Sequence, residues 1–297
     1  MITIRFDLYS FLMAPMRTTL QLFFQHAFFQ KVTTSLLGKL ANSHLSIIKN
    51  LFIRIFCRCY SINMSEAVEE NAFAYATFND FFIRRLKFDA RPIGEDIVSP
   101  ADGTISELGY LEKNQLLQAK GKYYSALQLL ANDESLTKTF ENGAHALIYL
   151  APHNYHRVHM PMAGRLLQMI YVPGTLYSVS PTTAQHIDGL FAKNERVIAI
   201  FETSVGKMAV IMVGAMIVGS ISTVWAGQIT PPRNQTEISV YNYETQNIQL
   251  AKGQELGYFS LGSTVIVLFE KDRIVWDEHV DSSTIQMGQN IAKINER

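Results

Sequence analysis

The chain reads as an α+β protein in which N-terminal amphipathic helices pack on a β-rich, mainly antiparallel domain. Three observations predict this. Up to about Ser61, large apolar side chains recur at mixed three- and four-residue spacing, the period of a helix face. Beyond Asp96 the texture changes to short apolar runs separated by turn-forming residues. After that point only Ser125 to Ala131 and Ser180 to His186 read as helical, so the helices gather ahead of the strands rather than alternating with them.

Taken in order, the first helices break at Pro15, Gly38 and Asn42-Ser43. A later helix starts at Thr77, whose hydroxyl can cap the first turn while Asp80 favours its positive end, and the pattern runs on through Phe81 to Lys87. Pro92 and Gly94 end that phase. Ala146 to Leu150, Met208 to Val213 and Thr264 to Phe269 are the clearest strands. No repeat of solenoid type and no low-complexity linker interrupts the chain.

With 297 residues and a formal net charge of zero, the chain has material for a sizeable core and no overall attraction to nucleic acid. The charge is uneven. Up to residue 60, Arg5, Arg17, Lys31, Lys39, Lys49, Arg54 and Arg58 face the single acid Asp7, in a segment also rich in Phe, Leu and Ile. Basic residues interrupt every apolar run before it reaches the roughly 20 residues that span a bilayer, so this segment is expected to lie on a membrane rather than cross it. No signal-peptide cleavage site is evident. The expected division is a helical, membrane-associating region over residues 1–95 and a β-rich domain over residues 96–297. Cys57 and Cys59 are too close for a good disulfide and have no second pair with which to bind zinc, so they read as reduced thiols.

Three motifs carry chemistry. Leu261-Gly262-Ser263-Thr264 sets a hydroxyl directly after an unshielded glycine carbonyl, the arrangement needed for an acyl shift from nitrogen to oxygen and cleavage of the chain; it is equally an ordinary turn. Tyr155-His156-Arg157-Val158-His159, preceded by His153, concentrates three of the eight histidines. Its three-residue spacing suggests a metal, but no carboxylate or thiolate joins it and no helix follows to align the rings, so no metal is assigned. Pro100-Ala101-Asp102-Gly103 is a tight turn presenting an acid. An acid, an imidazole and a hydroxyl are together the parts of a base-activated nucleophile, whatever their order along the chain.

In these stretches the chain resembles the pyruvoyl-dependent, self-cleaving phosphatidylserine decarboxylases. Leu190 to Val197, Val172 to Val179 and the Phe-rich segment from Phe78 to Pro92 match as well, and the resemblance runs in colinear order from about residue 75 to residue 270. It implies a self-cleavage triad of Asp102, His159 and Ser263, with the cut between Gly262 and Ser263 giving a β chain (1–262) and an α chain (263–297). It implies a covalent pyruvoyl cofactor made from Ser263, which binds the substrate amine and accepts electrons from the departing carboxylate. His156 is the implied proton donor in decarboxylation, and His153 is given no role. The resemblance further implies phosphatidylserine as substrate, an anionic membrane surface as partner, a homodimer, and a peripheral position at the cytoplasmic face of a bacterial membrane.

Two other readings bear on the same residues. A Ser-His-Asp hydrolase would acylate Ser263 without cutting the chain, but the Gly-x-Ser-x-Gly elbow is missing, because Thr264 and Val265 follow the serine. A non-catalytic barrel-type carrier or binding module would explain the turns at Asp102-Gly103 and Lys252-Gly253, but it leaves the histidine motif without a purpose.

Overall fold

The computed structural model describes residues 37–119, 122–215, 220–230, 236–260 and 263–296. The helix break expected at Pro15, like most of the basic opening segment, lies outside them. Ahead of the first strand stand α1 (Ser46–Cys59) and α2 (Phe78–Phe82). Strands β1 (Ile97–Val98), β2 (Gly103–Tyr110), β3 (Gln115–Ala119) and β4 (Lys122–Ser125) lead into the short helices α3 (Ala126–Leu129) and α4 (Glu134–Thr139). Next come β5 (Ala144–Leu150), β6 (Arg157–His159) and β7 (Gly164–Val172), then α5 (Pro181–Ala184) and α6 (Leu190–Lys193). A long β tail follows: β8 (Arg196–Thr203), β9 (Gly206–Gly214), β10 (Ile221–Thr223), β11 (Gly227–Gln228), β12 (Ser239–Asn242) and β13 (Gln249–Leu250). The last strands are β14 (Glu255–Phe259), β15 (Ser263–Phe269), β16 (Ile274–Trp276), β17 (Thr284–Ile285) and β18 (Asn290–Ile294).

The main sheet runs β12-β7-β8-β9-β15-β5-β2-β17, with β13 also paired to β7. β15 lies within it, bonded antiparallel to β9 on one side and to β5 on the other. All seven residues of β15 are buried, the pattern of a strand covered on both faces. Alternation divides them: Val265, Val267 and Phe269 join one core cluster, while Ile266 and Leu268 join a second with Leu129, Phe140 and Phe191 from the short helices and their flanks. The first cluster includes Val158 of β6, Ile221 of β10 and Leu256 and Phe259 of β14, so the small sheet β11-β10-β14-β6 covers that face. The third sheet, β1-β18-β16, adds Ile97, Ile274, Trp276 and Ile291 to the same side.

The α+β architecture matches the sequence expectation, and apart from Gly38, which lies within a helical stretch over residues 37–41 rather than breaking a helix, it shows two differences of detail. The helix beginning at Thr77 stops at Phe82 rather than continuing to Lys87. Thr77 caps it, its Oγ1 accepting from the Asp80 amide at 3.0 Å, but the following residues pair in extended form, with Val68 N donating to Arg85 O and Lys87 N to Glu66 O. That pairing with residues 66–68 outweighs the helical spacing of Phe81 to Lys87. The second difference is α4 and α6, which no expectation covered; α4 is nucleated by Asp133, whose carboxylate accepts from the Leu136 amide at 3.0 Å.

The helices have a core of their own, built from Ala41, Ile53, Phe78, Phe81 and Phe82. It meets the β body where the Phe82 ring lies 4.1 Å from the His156 ring and Arg157 Nε donates to Ile83 O at 2.9 Å. No helix among the described residues is long and apolar enough to cross a membrane.

Candidate active site

Strand register gathers the motifs at one end of the main sheet. Ser263 opens β15 opposite Leu150, the last residue of β5, and opposite Gly214, the last of β9. Thr104 lies opposite Tyr149, so Asp102 stands just ahead of β2 at the same sheet end. Gly103 is required there, because a Cβ would come within 2.4 Å of Tyr149 O. The loop leaving β5 carries His153, Tyr155 and His156 into β6, and the His159 amide donates to Pro100 O at 2.8 Å, tying the histidine strand to the Asp102 turn. On the other side of β6, Phe259 N donates to His156 O at 3.1 Å, and Ser263 follows Phe259 by only four positions. Leu261 and Gly262 lie outside the described residues.

Ser263 is fully buried, and its Oγ has no hydrogen-bond partner among the described residues. Strand alternation places its side chain on the same face as Val265 and Val267, the face covered by the small sheet that carries His159. A buried hydroxyl without a partner costs on the order of 1–3 kcal/mol.

Asp102 is held from two sides. Arg91 donates from Nε to Oδ1 at 3.0 Å and from Nη2 to Oδ2 at 2.6 Å, and the Met287 amide donates to Oδ1 at 2.9 Å. The other arm of Arg91 reaches Glu66 at 2.9 Å. Among the described residues no hydrogen bond joins Asp102 to His159.

His159 is oriented by a different group. Its Nδ1 lies 2.8 Å from Gly253 O, and because a carbonyl can only accept, Nδ1 carries the proton and Nε2 is bare. Gly253 sits at φ +74°, a left-handed conformation that suits glycine. The bare Nε2 is 3.1 Å from the Tyr155 hydroxyl, which burial keeps protonated far above neutrality and which therefore donates. Burial lowers the pKa of His159, while the Gly253 hydrogen bond and the charges of Glu255 and Asp102 oppose that fall. The ring is consequently a neutral base near pH 7.

His156 has the same tautomer, with Nδ1 donating to Asn154 O at 2.8 Å. Its Nε2 is buried with no hydrogen-bond partner among the described residues, and the Phe82 ring packs on the imidazole at 4.1 Å. Burial pushes its pKa down to about 3. The His153 ring lies 6.2 Å from that of Tyr60, and among the described residues no three His, Cys, Asp or Glu side chains group as a metal site. Beside His159 a cleft of about 460 Å³ opens between the segment from Leu86 to Ile93 and the Tyr155, Gly253 and Met287 side of the body.

Arg91, Gly253 and Phe82 were not anticipated as parts of the site. Arg91 belongs to an Arg-Pro pair that reads as a helix exit, and Gly253 to a turn remote in sequence; only folding brings the carbonyl of one and the guanidinium of the other to the histidine and the acid.

A buried serine opening a central strand thus lies on the face covered by the small sheet of His159, with His156 just ahead of that sheet and both rings held in one tautomer. The comparisons with known proteins identify the family. The phosphatidylserine decarboxylase family model matches residues 78–293. A phosphatidylserine decarboxylase proenzyme of Saccharophagus degradans is 50% identical over 273 residues, covering 91% of this chain and 93% of the relative. Proenzymes of the same description from Actinobacillus pleuropneumoniae serotype 3 and Idiomarina loihiensis are 49% identical over 278 residues and 48% identical over 283 residues, covering 94% and 97% of those relatives. The chain belongs to the phosphatidylserine decarboxylase family.

Proposed function

We propose that the chain is a proenzyme that cuts itself between Gly262 and Ser263 and then decarboxylates phosphatidylserine to phosphatidylethanolamine. The observation that carries this reading is Ser263 Oγ, buried and without a partner at the start of a strand bonded on both sides. A serine placed there can lose its upstream neighbour without dissolving the fold. The apolar residues of β15 are each worth about 1.5–3 kcal/mol of burial, which together with two ladders of hydrogen bonds keeps the short α chain (263–297) in place. The division into a helical region over residues 1–95 and a catalytic domain over residues 96–297 belongs to this proposal.

In maturation, His159 Nε2 takes the Ser263 proton as the hydroxyl attacks the Gly262 carbonyl. The Gly253 carbonyl holds the ring in the tautomer this requires, and Tyr155 covers the lone pair until the serine takes its place. Asp102 stabilises the imidazolium through its field, and Arg91 with the Met287 amide fixes the carboxylate. The residues around Ser263 fit a pyruvoyl group: the position is buried, Leu150 and Gly214 flank it on the neighbouring strands, and among the described residues no charged side chain bonds its Oγ. A pyruvoyl group made from Ser263 supplies a carbonyl that binds the substrate amine and accepts the electron pair left by carbon dioxide. His156 Nε2, neutral and bare, accepts the proton that the substrate ammonium must lose and returns it to the α-carbon after decarboxylation.

The partner surface is an anionic bilayer. On α1, Ile47, Leu51 and Ile55 recur every four residues and are 85%, 51% and 51% exposed, with Arg54 and Arg58 exposed beside them. The opposite side of the helix packs through Ile53, Phe52 and Phe56 on the helical core. An outward apolar stripe bordered by arginines suits insertion among anionic lipids. The homodimer and the bacterial cytoplasmic-face location rest on family resemblance alone. The function is tested by carbon dioxide release from carboxyl-labelled phosphatidylserine in vesicles: the purified chain is expected to release label and Ser263→Ala to release none, whereas release by the alanine variant would remove the serine from the chemistry.

A further inference from the structure

Among the described residues four arginines are buried: Arg84, Arg91, Arg157 and Arg196. Three are fully engaged. Arg91 holds Asp102 and Glu66, Arg157 holds Glu255 and the Ile83 carbonyl, and Arg196 donates to the carbonyls of Gln128, Leu129, Ala192 and Asn194. Arg84 is only 6% exposed, yet among the described residues its side chain has no ion pair and no hydrogen bond, its Nε is wholly buried without a partner, and Tyr75, Asp102 and Glu66 act on its charge only from beyond contact. Its guanidinium lies 6.0 Å from the Phe81 ring centre, a contact that does not replace an anion. An unpaired buried cation is among the costliest features a fold can carry, and it persists where a ligand supplies the missing charge.

Its position says which ligand. Arg84 follows by two residues Phe82, whose ring covers His156, and its neighbour Ile83 is bonded to Arg157 of β6. Its positive charge reaches His156, where it adds to the lowering of the imidazole pKa, as well as Tyr75 and Cys57 on the helical side. The guanidinium therefore stands at the seam between the lipid-facing helices and the decarboxylation site. We infer that Arg84 binds the phosphodiester of the substrate headgroup, an inference that rests on the function proposed above.

The substrate offers two anions, and energetics separates them. A cation on the α-carboxylate would stabilise a charge that disappears as carbon dioxide leaves, and so would oppose the reaction. The phosphodiester keeps its charge throughout. A cation placed there contributes equally to ground and transition states and appears in KM rather than kcat. The fork of an arginine also matches two phosphate oxygens, as lysine does not.

The test compares mature wild type, R84Q and R84K, each first checked for cleavage into two chains, with phosphatidylserine in detergent micelles. Glycerophosphoserine and glycerophosphoethanolamine serve as competitors; both carry the phosphodiester and only the first carries the carboxylate. R84Q is expected to raise KM and both inhibition constants about tenfold or more, with kcat within about threefold, and R84K to fall between. Weakened inhibition by glycerophosphoserine alone would assign Arg84 to the carboxylate and overturn the inference, as would unchanged constants for both competitors. Should R84Q fail to mature, R84K decides: a KM raised about threefold or more supports the phosphodiester contact, and wild-type constants overturn it. Wild type that stays uncut or releases no carbon dioxide would instead overturn the proposed function, a separate and earlier failure.

Discussion

Arg91 grips Asp102 with two parallel hydrogen bonds, Nε to Oδ1 at 3.0 Å and Nη2 to Oδ2 at 2.6 Å, and both side chains are more than nine-tenths buried. This bidentate pair fixes the acid of the proposed self-cleavage triad, and among the described residues no direct bond joins Asp102 to His159. Breaking such a pair strands a buried charge, at a cost of about 3–5 kcal/mol. Arg91→Met is expected to lower the free energy of unfolding by that order in urea denaturation and to slow maturation. A variant of wild-type stability that matures at the normal rate would mean that the pair holds neither the fold nor the acid.

His156 and His159 share a tautomer but differ in what their bare nitrogens meet: Tyr155 for His159, nothing for His156. His159→Ala is therefore expected to accumulate the uncut chain. His156→Ala should cut normally and lose about 100-fold or more in turnover, the usual scale of a positioned acid–base group. A gel of each variant beside its decarboxylation rate separates the two roles. Because burial lowers the pKa of His159, maturation is expected to stay fast as pH falls from 8 to the ordinary imidazole value of 6.5 and to slow only below it.

The α1 stripe gives a surface prediction. Leu51→Glu with Ile55→Glu is expected to abolish sedimentation with phosphatidylserine vesicles while leaving activity on micelle-dispersed short-chain substrate within about threefold, since both side chains point away from the core. Undiminished vesicle binding would place the membrane contact elsewhere on the chain.

At the end of the sheet away from Ser263, His145 is buried with neither ring nitrogen hydrogen-bonded among the described residues, and burial holds its pKa down to about 4 against an ordinary 6.5. Its stabilising contribution as a neutral ring is complete above pH 6.5 and is lost as pH falls toward 4, because the unfolded chain takes up the proton first; the loss is on the order of 3 kcal/mol. Glu107, 3.9 Å away, runs the other way: burial and Asp281 raise its pKa to about 7 from 4.5, so its ionisation weakens the fold as pH rises through that window. Urea midpoints from pH 4.5 to 7.5 check both effects. His145→Leu is expected to make the acid limb shallower and Glu107→Gln to remove the loss toward neutral pH, whereas unchanged profiles would show that neither group titrates with folding.

Much of this was legible in the sequence because it is local. The apolar runs of β5, β9 and β15, the Thr77 cap and the Asp-Gly turn at residues 102–103 each report on their own neighbourhood. The end of α2 at Phe82 was not, since the extended pairing of Arg85 and Lys87 with residues 66–68 is a tertiary choice. In the site, the motif residues Asp102, His156, His159 and Ser263 could be picked out by chemistry, but their holders could not. Arg91 reaches Asp102 across eleven positions and Gly253 reaches His159 across ninety-four, separations at which no periodic signal survives.

The central claim is that Ser263 is consumed in making the active enzyme, and the mass of the purified protein tests it most directly. Intact-mass spectrometry of active material is expected to show two chains divided between Gly262 and Ser263, the shorter beginning with a pyruvoyl group in place of serine, and a single 33.6 kDa chain for Ser263→Ala. Full decarboxylase activity from one uncut 33.6 kDa chain would contradict the account.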